Sequence, residues 1–286
     1  MLWFLYSLLS GFFNATSDAF SKKVKLDDTY LISWARFFFA VPFLLMLLFF
    51  VRIPTLDEVF WKIILIFPLL DILLLLLYVK AIRLSPLSLT LPFYSLTPVF
   101  LILTSFIILG ELPTSLGVVG ILLVVVGAYI LNLRERKYGF LGPFQAIFKE
   151  KGTILIILAA MLASINSNLF KVGVAHSSPV FFIAINSMIV VLLMSIFLFK
   201  KIKNQFNEIK KNFRLLFLAG IANGFMLLFH ALAVMLVIVP YMISIKRTSS
   251  IFGVLYGHFW FKEGKLKERL IGAVIMLIGA AVILIS

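Results

Sequence analysis

Two neighbouring cations, Lys246 and Arg247, stand in the otherwise apolar stretch YMISIKRTSS. Thr248, Ser249 and Ser250 follow directly, and Tyr241 and Ser244 lie on the turn before. An ionised side chain inside hydrocarbon costs about 3 kcal/mol or more unless it is paired or hydrated. Such a pair suits a water-filled cavity that receives an anion, where Arg binds a carboxylate or phosphate bidentately and Lys acts as a point charge. Snorkelling to the near interface, or a buried ion pair used for packing, are the structural alternatives. Asp71, among leucines in FPLLDILLLLLY, poses the same question with the opposite sign. It reads as a counter-ion to Lys246 or Arg247, as a proton carrier, or as a neutral packing residue. His230, in GFMLLFH, is either hydrogen-bonded structure or a proton relay. Asn14 with Asp18, and Asn166 with Asn168, read first as bonds between helices and second as cavity lining.

These residues need elements that carry them through a bilayer. The chain has 286 residues, 63% of them hydrophobic and 13% charged, with a mean hydropathy of +1.14. A soluble domain averages roughly 45–50% apolar and about 25% charged residues. Apolar runs of some 20 residues recur along the chain, each sufficient for about 30 Å of hydrocarbon. They are continuously apolar and lack the alternation of barrel strands, so the spans are helical. Ten are predicted, at about 1–21, 30–51, 60–80, 86–109, 114–133, 153–173, 179–199, 213–236, 239–261 and 268–286. The first has no basic leader region and is read as helix 1, not as a cleaved signal peptide. Trp3, Trp34, Trp61 and Trp260 fall near predicted span ends, as interface anchors do.

Charge then gives orientation. Of 26 Lys and Arg, 20 fall in the odd-numbered connections, against Arg52, Lys62 and Lys171 on the other side. That bias puts the odd connections in the cytoplasm and both termini outside a cell membrane. The net charge of +14 is thereby explained without nucleic acid. The basic segment 200–214 carries Ile202, Phe206, Ile209 and Phe213 at helical spacing. It reads either as a helix lying along an anionic leaflet or as a charged stop between spans. With no cysteine, disulfides and thiolate metal sites are excluded. No phosphate-loop, zinc-protease or nucleophile-elbow motif is present, and no cofactor is expected.

The sequence repeats. Shifting 61–133 by 152 residues places it on 213–285 without a gap. Glu111 meets Glu263, Gly120 meets Gly272, Gly127 meets Gly279, and Ala128 meets Ala280. Asp71 meets Asn223, while Tyr94 and Ser95 meet Lys246 and Arg247. Farther upstream a shift of 150 aligns Phe20 with Phe170, Asp18 with Asn168 and Arg36 with Asn186. Five spans per unit is an odd number, so the second unit enters the membrane from the opposite side. The expected fold is an all-α polytopic membrane protein: ten transmembrane helices as two inverted five-helix repeats, 1–133 and 153–286, joined by a cytoplasmic linker at 134–152. Inverted repeats favour two near-equivalent conformations, each open to one side, with a site near the midplane.

Arg36 in the second span, a proline-rich fourth span ending in Gly110-Glu111, and a ninth span ending near Glu263 before a glycine-spaced last helix resemble the EamA-like branch of the drug/metabolite transporter superfamily. The resemblance covers essentially the whole chain. It implies export or exchange of amino acids, nucleotide-linked sugars, phosphorylated metabolites or drugs, and cytoplasmic termini in many bacterial members, opposite to the charge count. The Lys246-Arg247 pair also resembles the phosphate-contacting pair of plastid phosphate translocators. Those carry a further basic residue in the first half, where Tyr94 offers none.

The expected function is secondary transport of a small anionic or zwitterionic metabolite by alternating access, by a monomer or homodimer in the lipid bilayer. Lys246, Arg247, Tyr94, Ser95 and Asn223 would meet the small-molecule substrate, with Asp71 and His230 as coupling or counter-ion groups. The alternative is a membrane enzyme or lipid-handling protein acting on an anionic headgroup.

Overall fold

A computed structural model describes residues 1–26, 28–85, 92–132, 150–262 and 266–286, with side chains omitted at 132 and 266–269. Every regular element among them is a helix: α1 (Leu2–Lys23), α2 (Thr29–Leu48), α3 (Glu58–Leu84), α4 (Thr97–Leu109), α5 (Ser115–Asn132), α6 (Lys151–Ala175), α7 (Pro179–Asn204), α8 (Phe206–Lys211), α9 (Phe213–Val234), α10 (Val239–Lys246), α11 (Ser249–Phe261) and α12 (Leu266–Ile285). Among the described residues, six helices are long and apolar enough to cross a membrane: Thr29–Leu48, Glu58–Leu84, Pro92–Leu109, Lys151–Ala175, Pro179–Asn204 and Phe213–Val234. Residues 115–131 and 270–285 form shorter apolar helices. The start of the predicted fourth span, most of the linker and Glu263 lie outside the described residues.

Local chemistry sets the helix ends. Asp28 accepts the Tyr30 backbone N–H at 2.9 Å and starts α2, and Asp57 does the same for Phe60 at the start of α3. That backbone bond, with the His176 imidazole 2.6 Å away, holds the Asp57 carboxyl below the usual carboxylate range. Ser178 caps α7, with Pro179 in its first turn. Gly110 ends α4 in the left-handed conformation (φ 69°), which a side chain would resist.

Two expectations change. Segment 200–214 does not form one interfacial helix, because α7 runs through its first residues to Asn204. Only the six-residue α8 is separate, seated on the core through buried Ile209. Trp34 is not an interface anchor, since it is buried and its indole N–H donates to Ser195 at 2.8 Å.

The two halves pack against each other in a pattern that exchanges under the repeat. Helix α1 lies on α9 as α3 lies on α6, α2 faces α7, and α5 faces α12. The α5–α12 contact gives direction. A methyl group built on Gly127 would sit 2.6 Å from the Gly272 carbonyl oxygen, and one on Gly120 would sit 2.9 Å from that of Gly279. Low numbers meet high ones, so the two helices run antiparallel. The contacts also swap when each glycine is replaced by its repeat mate, as a two-fold axis between the halves requires.

Gly127→Ala or Gly272→Ala is expected to lower stability by about 1–3 kcal/mol, because the added methyl would press on backbone atoms of the facing helix, 2.6–2.7 Å away, which cannot swing aside. Gly253→Ala in α11, where nothing lies within 4 Å, should be neutral or gain up to about 1 kcal/mol. Thermal unfolding of purified protein in detergent distinguishes the two outcomes.

Candidate functional site

The ninth span is interrupted. Its two pieces, α10 and α11, meet at Arg247-Thr248. The fourth span is interrupted at the repeat-related residues Ser95-Leu96, between a short turn at 92–94 and α4. Three backbone bonds at one break have counterparts at the other. Ser95, Leu96 and Val99 donate to the carbonyls of Pro92, Phe93 and Leu96; Arg247, Thr248 and Ile251 donate to those of Ser244, Ile245 and Thr248. Each bond spans three residues instead of four, a local 3₁₀ tightening.

The causes differ in detail. In the first half Pro98 has no N–H for the Tyr94 carbonyl, and the Thr97 hydroxyl takes that carbonyl at 2.7 Å. In the second half the Thr248 hydroxyl bonds the Ile245 carbonyl at 2.7 Å and competes with the regular ladder. Gly11 of α1 lets that helix close on the second break, where a methyl would come 2.9 Å from the Lys246 carbonyl oxygen.

Beside both breaks lies a cavity of about 870 Å³, walled by α1, α2, α3, α11 and the Tyr94-Ser95 turn. A smaller inner pocket of about 290 Å³ shares Asn14, Asp71, Tyr94, Arg247 and Ser249 with it, and reaches deeper between α4, α6, α9 and α10. The chamber therefore takes walls from both halves.

Most of the expected residues meet there. Arg247 lines both spaces; its Nη2 donates to Thr97 Oγ1 at 2.7 Å, and its guanidinium lies 4.5 Å over the Tyr94 ring. Tyr94 in turn meets Tyr78 edge-on at 5.1 Å. Lys246 lines the inner pocket, with Nζ 2.7 Å from His230 Nδ1 and 3.3 Å from Met226 Sδ. His230 packs edge-on to Phe170. Ser95 lines the larger cavity.

Asp71 lines both spaces, and its contacts are amides: Asn166 Nδ2 at 2.5 Å and Asn186 Nδ2 at 3.2 Å. Among the described residues it makes no salt bridge, so its tie to Lys246 is through space. Asn223 is not on the wall. It is buried one layer behind, where its side-chain oxygen accepts from Arg36 Nη2 at 3.4 Å.

Arg36 itself faces the cavity, with Nη1 on Asp18 Oδ1 at 2.7 Å and Asp18 Oδ2 accepting from Asn14. The first half thus does supply a basic residue, from α2 instead of from the Tyr94 position. Of the asparagines, Asn14 and Asn166 line the chamber, whereas Asn168 bonds Thr104 and the Ser164 carbonyl between helices. Sequence reasoning missed Asn186 altogether. Its signal was the alignment with Arg36, for the two bonds Arg36–Asn223 and Asn186–Asp71 are repeat images of each other. Several buried polar atoms have no partner among the described residues, including Asn166 Oδ1, Asn186 Oδ1, His230 Nε2 and Arg247 Nε. Unmatched groups of this kind belong to a site that is wet or takes a ligand.

The EamA-like transporter family model matches residues 1–133 and 150–285. The chain belongs to the EamA-like transporter family. This EamA-like protein is thus a multi-pass membrane protein of the drug/metabolite transporter type, with the two-repeat fold of that family. A solved protein crystal structure superposes on the EamA-like chain with a TM-score of 0.70 at 14% identity, covering 98% of this chain and 96% of that one. At that identity the likeness is one of fold. No curated protein matches.

The chain's lack of cysteine allows a direct check of the walls. Ser95→Cys should react readily with a water-soluble thiol reagent, and Asn223→Cys, behind Arg36, at least about ten-fold more slowly. Equal rates would mean the chamber is drawn wrongly.

Proposed function

We propose that this protein is a secondary carrier that moves a small anionic or zwitterionic metabolite by alternating access. One observation carries the proposal: Lys246 and Arg247 stand at a helix break beside a chamber shared by both repeats. Discontinuous helices of this kind form midplane sites in other inverted-repeat carriers. The substrate's negative group is received by Arg247, whose Nε is unpartnered, and by Lys246 alongside. Tyr94 holds the guanidinium flat, Ser95 and Asn14 offer hydrogen bonds, and Arg36 adds a further positive group.

Asp71 serves as a proton carrier, or as the fixed negative charge that keeps the empty chamber balanced during exchange. His230 orients Lys246. The first repeat unit runs over 1–133, the linker over 134–152 and the second unit over 153–286, giving ten spans of inverted topology. The Lys and Arg distribution supports a cell-membrane orientation with both termini outside.

Lys246→Ala and Arg247→Ala are each expected to lower uptake or exchange in proteoliposomes by about 100-fold, as loss of a charge-assisted contact implies. Monodispersity and thermal unfolding should stay close to those of the parent. Unchanged transport in both variants would remove the site assignment.

Orientation has its own readout. A phosphatase that folds only in an oxidising, extracytoplasmic compartment should be active when fused after Ser286 and inactive when fused after Lys203. The reverse pattern would place the basic face outside.

A further inference from the structure

Among the described residues, the chamber reaches one face only, and named contacts close the other. Its mouth reaches the charged face, where Lys22, Thr29, Ile82, Leu131 and Phe261 line it within a few residues of their helix ends. Towards the opposite face, where α4, α6 and α9 end and α10 begins, the inner pocket stops at Phe67, Phe170 and Ile243. These belong to a buried apolar cluster that continues through Phe182, Met242 and Val239.

Beyond that cluster one carboxylate ties three helix ends together. Glu111, just past α4, has Oε1 at 2.5 Å from Lys171 Nζ of α6, and Oε2 accepts the Val239 N–H at the start of α10 at 2.9 Å. Ser105 adds a bond to Oε2 at 3.0 Å, and Lys171 Nζ also donates to the Val237 carbonyl at 2.8 Å. The pair is mostly shielded, with side chains 15% and 18% exposed, so solvent screens it little. A carboxylate on the first turn of α10 also sits favourably in the helix dipole.

The three helices tied in this way are walls of the inner pocket, through Thr97, Phe170 and Lys246. They belong to different halves: α4 to the first, α6 and α10 to the second. A carrier that opens on this face must part them, and cannot do so while Glu111 bridges them. We infer that Glu111 and Lys171 form the latch that holds the chamber shut on the charge-poor face, and that it opens and re-forms in each cycle. This inference rests on the alternating-access reading above.

The test needs no substrate. Ser167 lines the inner pocket and, among the described residues, bonds the Ala163 carbonyl of its own helix, so Ser167→Cys supplies one reporter thiol in a chain without cysteine. Vesicles of defined orientation are treated with a membrane-impermeant maleimide from each side in turn. With the latch intact, the thiol should react from the charged face and hardly at all from the other. Adding Glu111→Gln, or Lys171→Met as a second variant, should raise reaction from the charge-poor face about ten-fold or more, as loss of one charge-assisted contact implies. Glu58→Gln, which breaks the exposed Glu58–Lys62 pair on that same face, should change nothing.

Reaction from the charged face reports that each variant is folded. If it persists while both latch variants leave the charge-poor face unreactive, the latch is overturned. If the parent thiol reacts equally from both faces, or from neither, the one-sided chamber fails first, and alternating access from this structure with it.

Discussion

Charge held inside a bilayer has to be answered by other charge, by dipoles or by water, and that constraint organises this molecule. Five charged groups gather inside one chamber, Arg36, Lys246 and Arg247 against Asp18 and Asp71, with Lys22 farther out at the mouth. None faces acyl chains. Arg36 is paired with Asp18, Lys246 leans on an imidazole, Arg247 on a hydroxyl and an aromatic face, and Asp71 on two amides. The three cations outnumber the two carboxylates, which leaves a site complementary to negative charge. Everything else in the fold serves to keep these groups together and the lipid away. The exposed leucines and phenylalanines of α4, α7 and α12 lie on the outside of the bundle, where a bilayer covers them.

The repeat supplies the scaffold, and its departures supply the chemistry. The backbone bonds at the two helix breaks are superposable in kind, and so are the paired glycine contacts of α5 and α12. Side chains at matched positions are not. Arg36 bonded to Asn223 is the image of Asn186 bonded to Asp71. One contact is thus built twice with its charge reversed, positive on α2 and negative on α3. Similarly, the Lys246-Arg247 pair stands where the other half has Tyr94-Ser95, and Arg247 lies over that same Tyr94 ring. The two repeat-related breaks lie side by side, so Arg247, the mate of Ser95, rests on the neighbouring Tyr94 ring.

What could be read from the sequence follows from this division. Backbone regularities leave periodic traces, so the all-helical class, the two-repeat plan and the glycine pairs were legible. Lys246 and Arg247 were legible because an ion in an apolar run has few innocent explanations. Asn223 was misjudged because a repeat alignment says which positions are equivalent and not which layer a side chain occupies. Arg36 and Asp18 were undervalued for the opposite reason: each is a common residue near a span end, and only the crossing of α1, α2 and α9 aims them at one space. The break in the ninth span was hidden as well. No proline marks it, and hydroxyl groups bonding back to their own helix leave no pattern that separates an interruption from a polar stripe.

A two-fold design gives two closed arrangements of equal stability only if both halves carry the same groups at their gates. Here they do not. Lys171, which meets Glu111 on the charge-poor face, aligns through the 150-residue shift with Ser21, which has no charge to offer. Ser21 instead lines the open cavity on the charged face. On the alternating-access reading proposed above, the shielded Glu111–Lys171 pair favours the arrangement that is shut on the charge-poor face. The amount required is small, since about 1.4 kcal/mol is a tenfold population ratio. The structure is shut on that side. Substrate, by neutralising the surplus positive charge between the halves, would offset part of the self-repulsion that favours an open mouth. On the reading proposed above, the resting preference of the protein and its response to an anion then share one electrostatic origin.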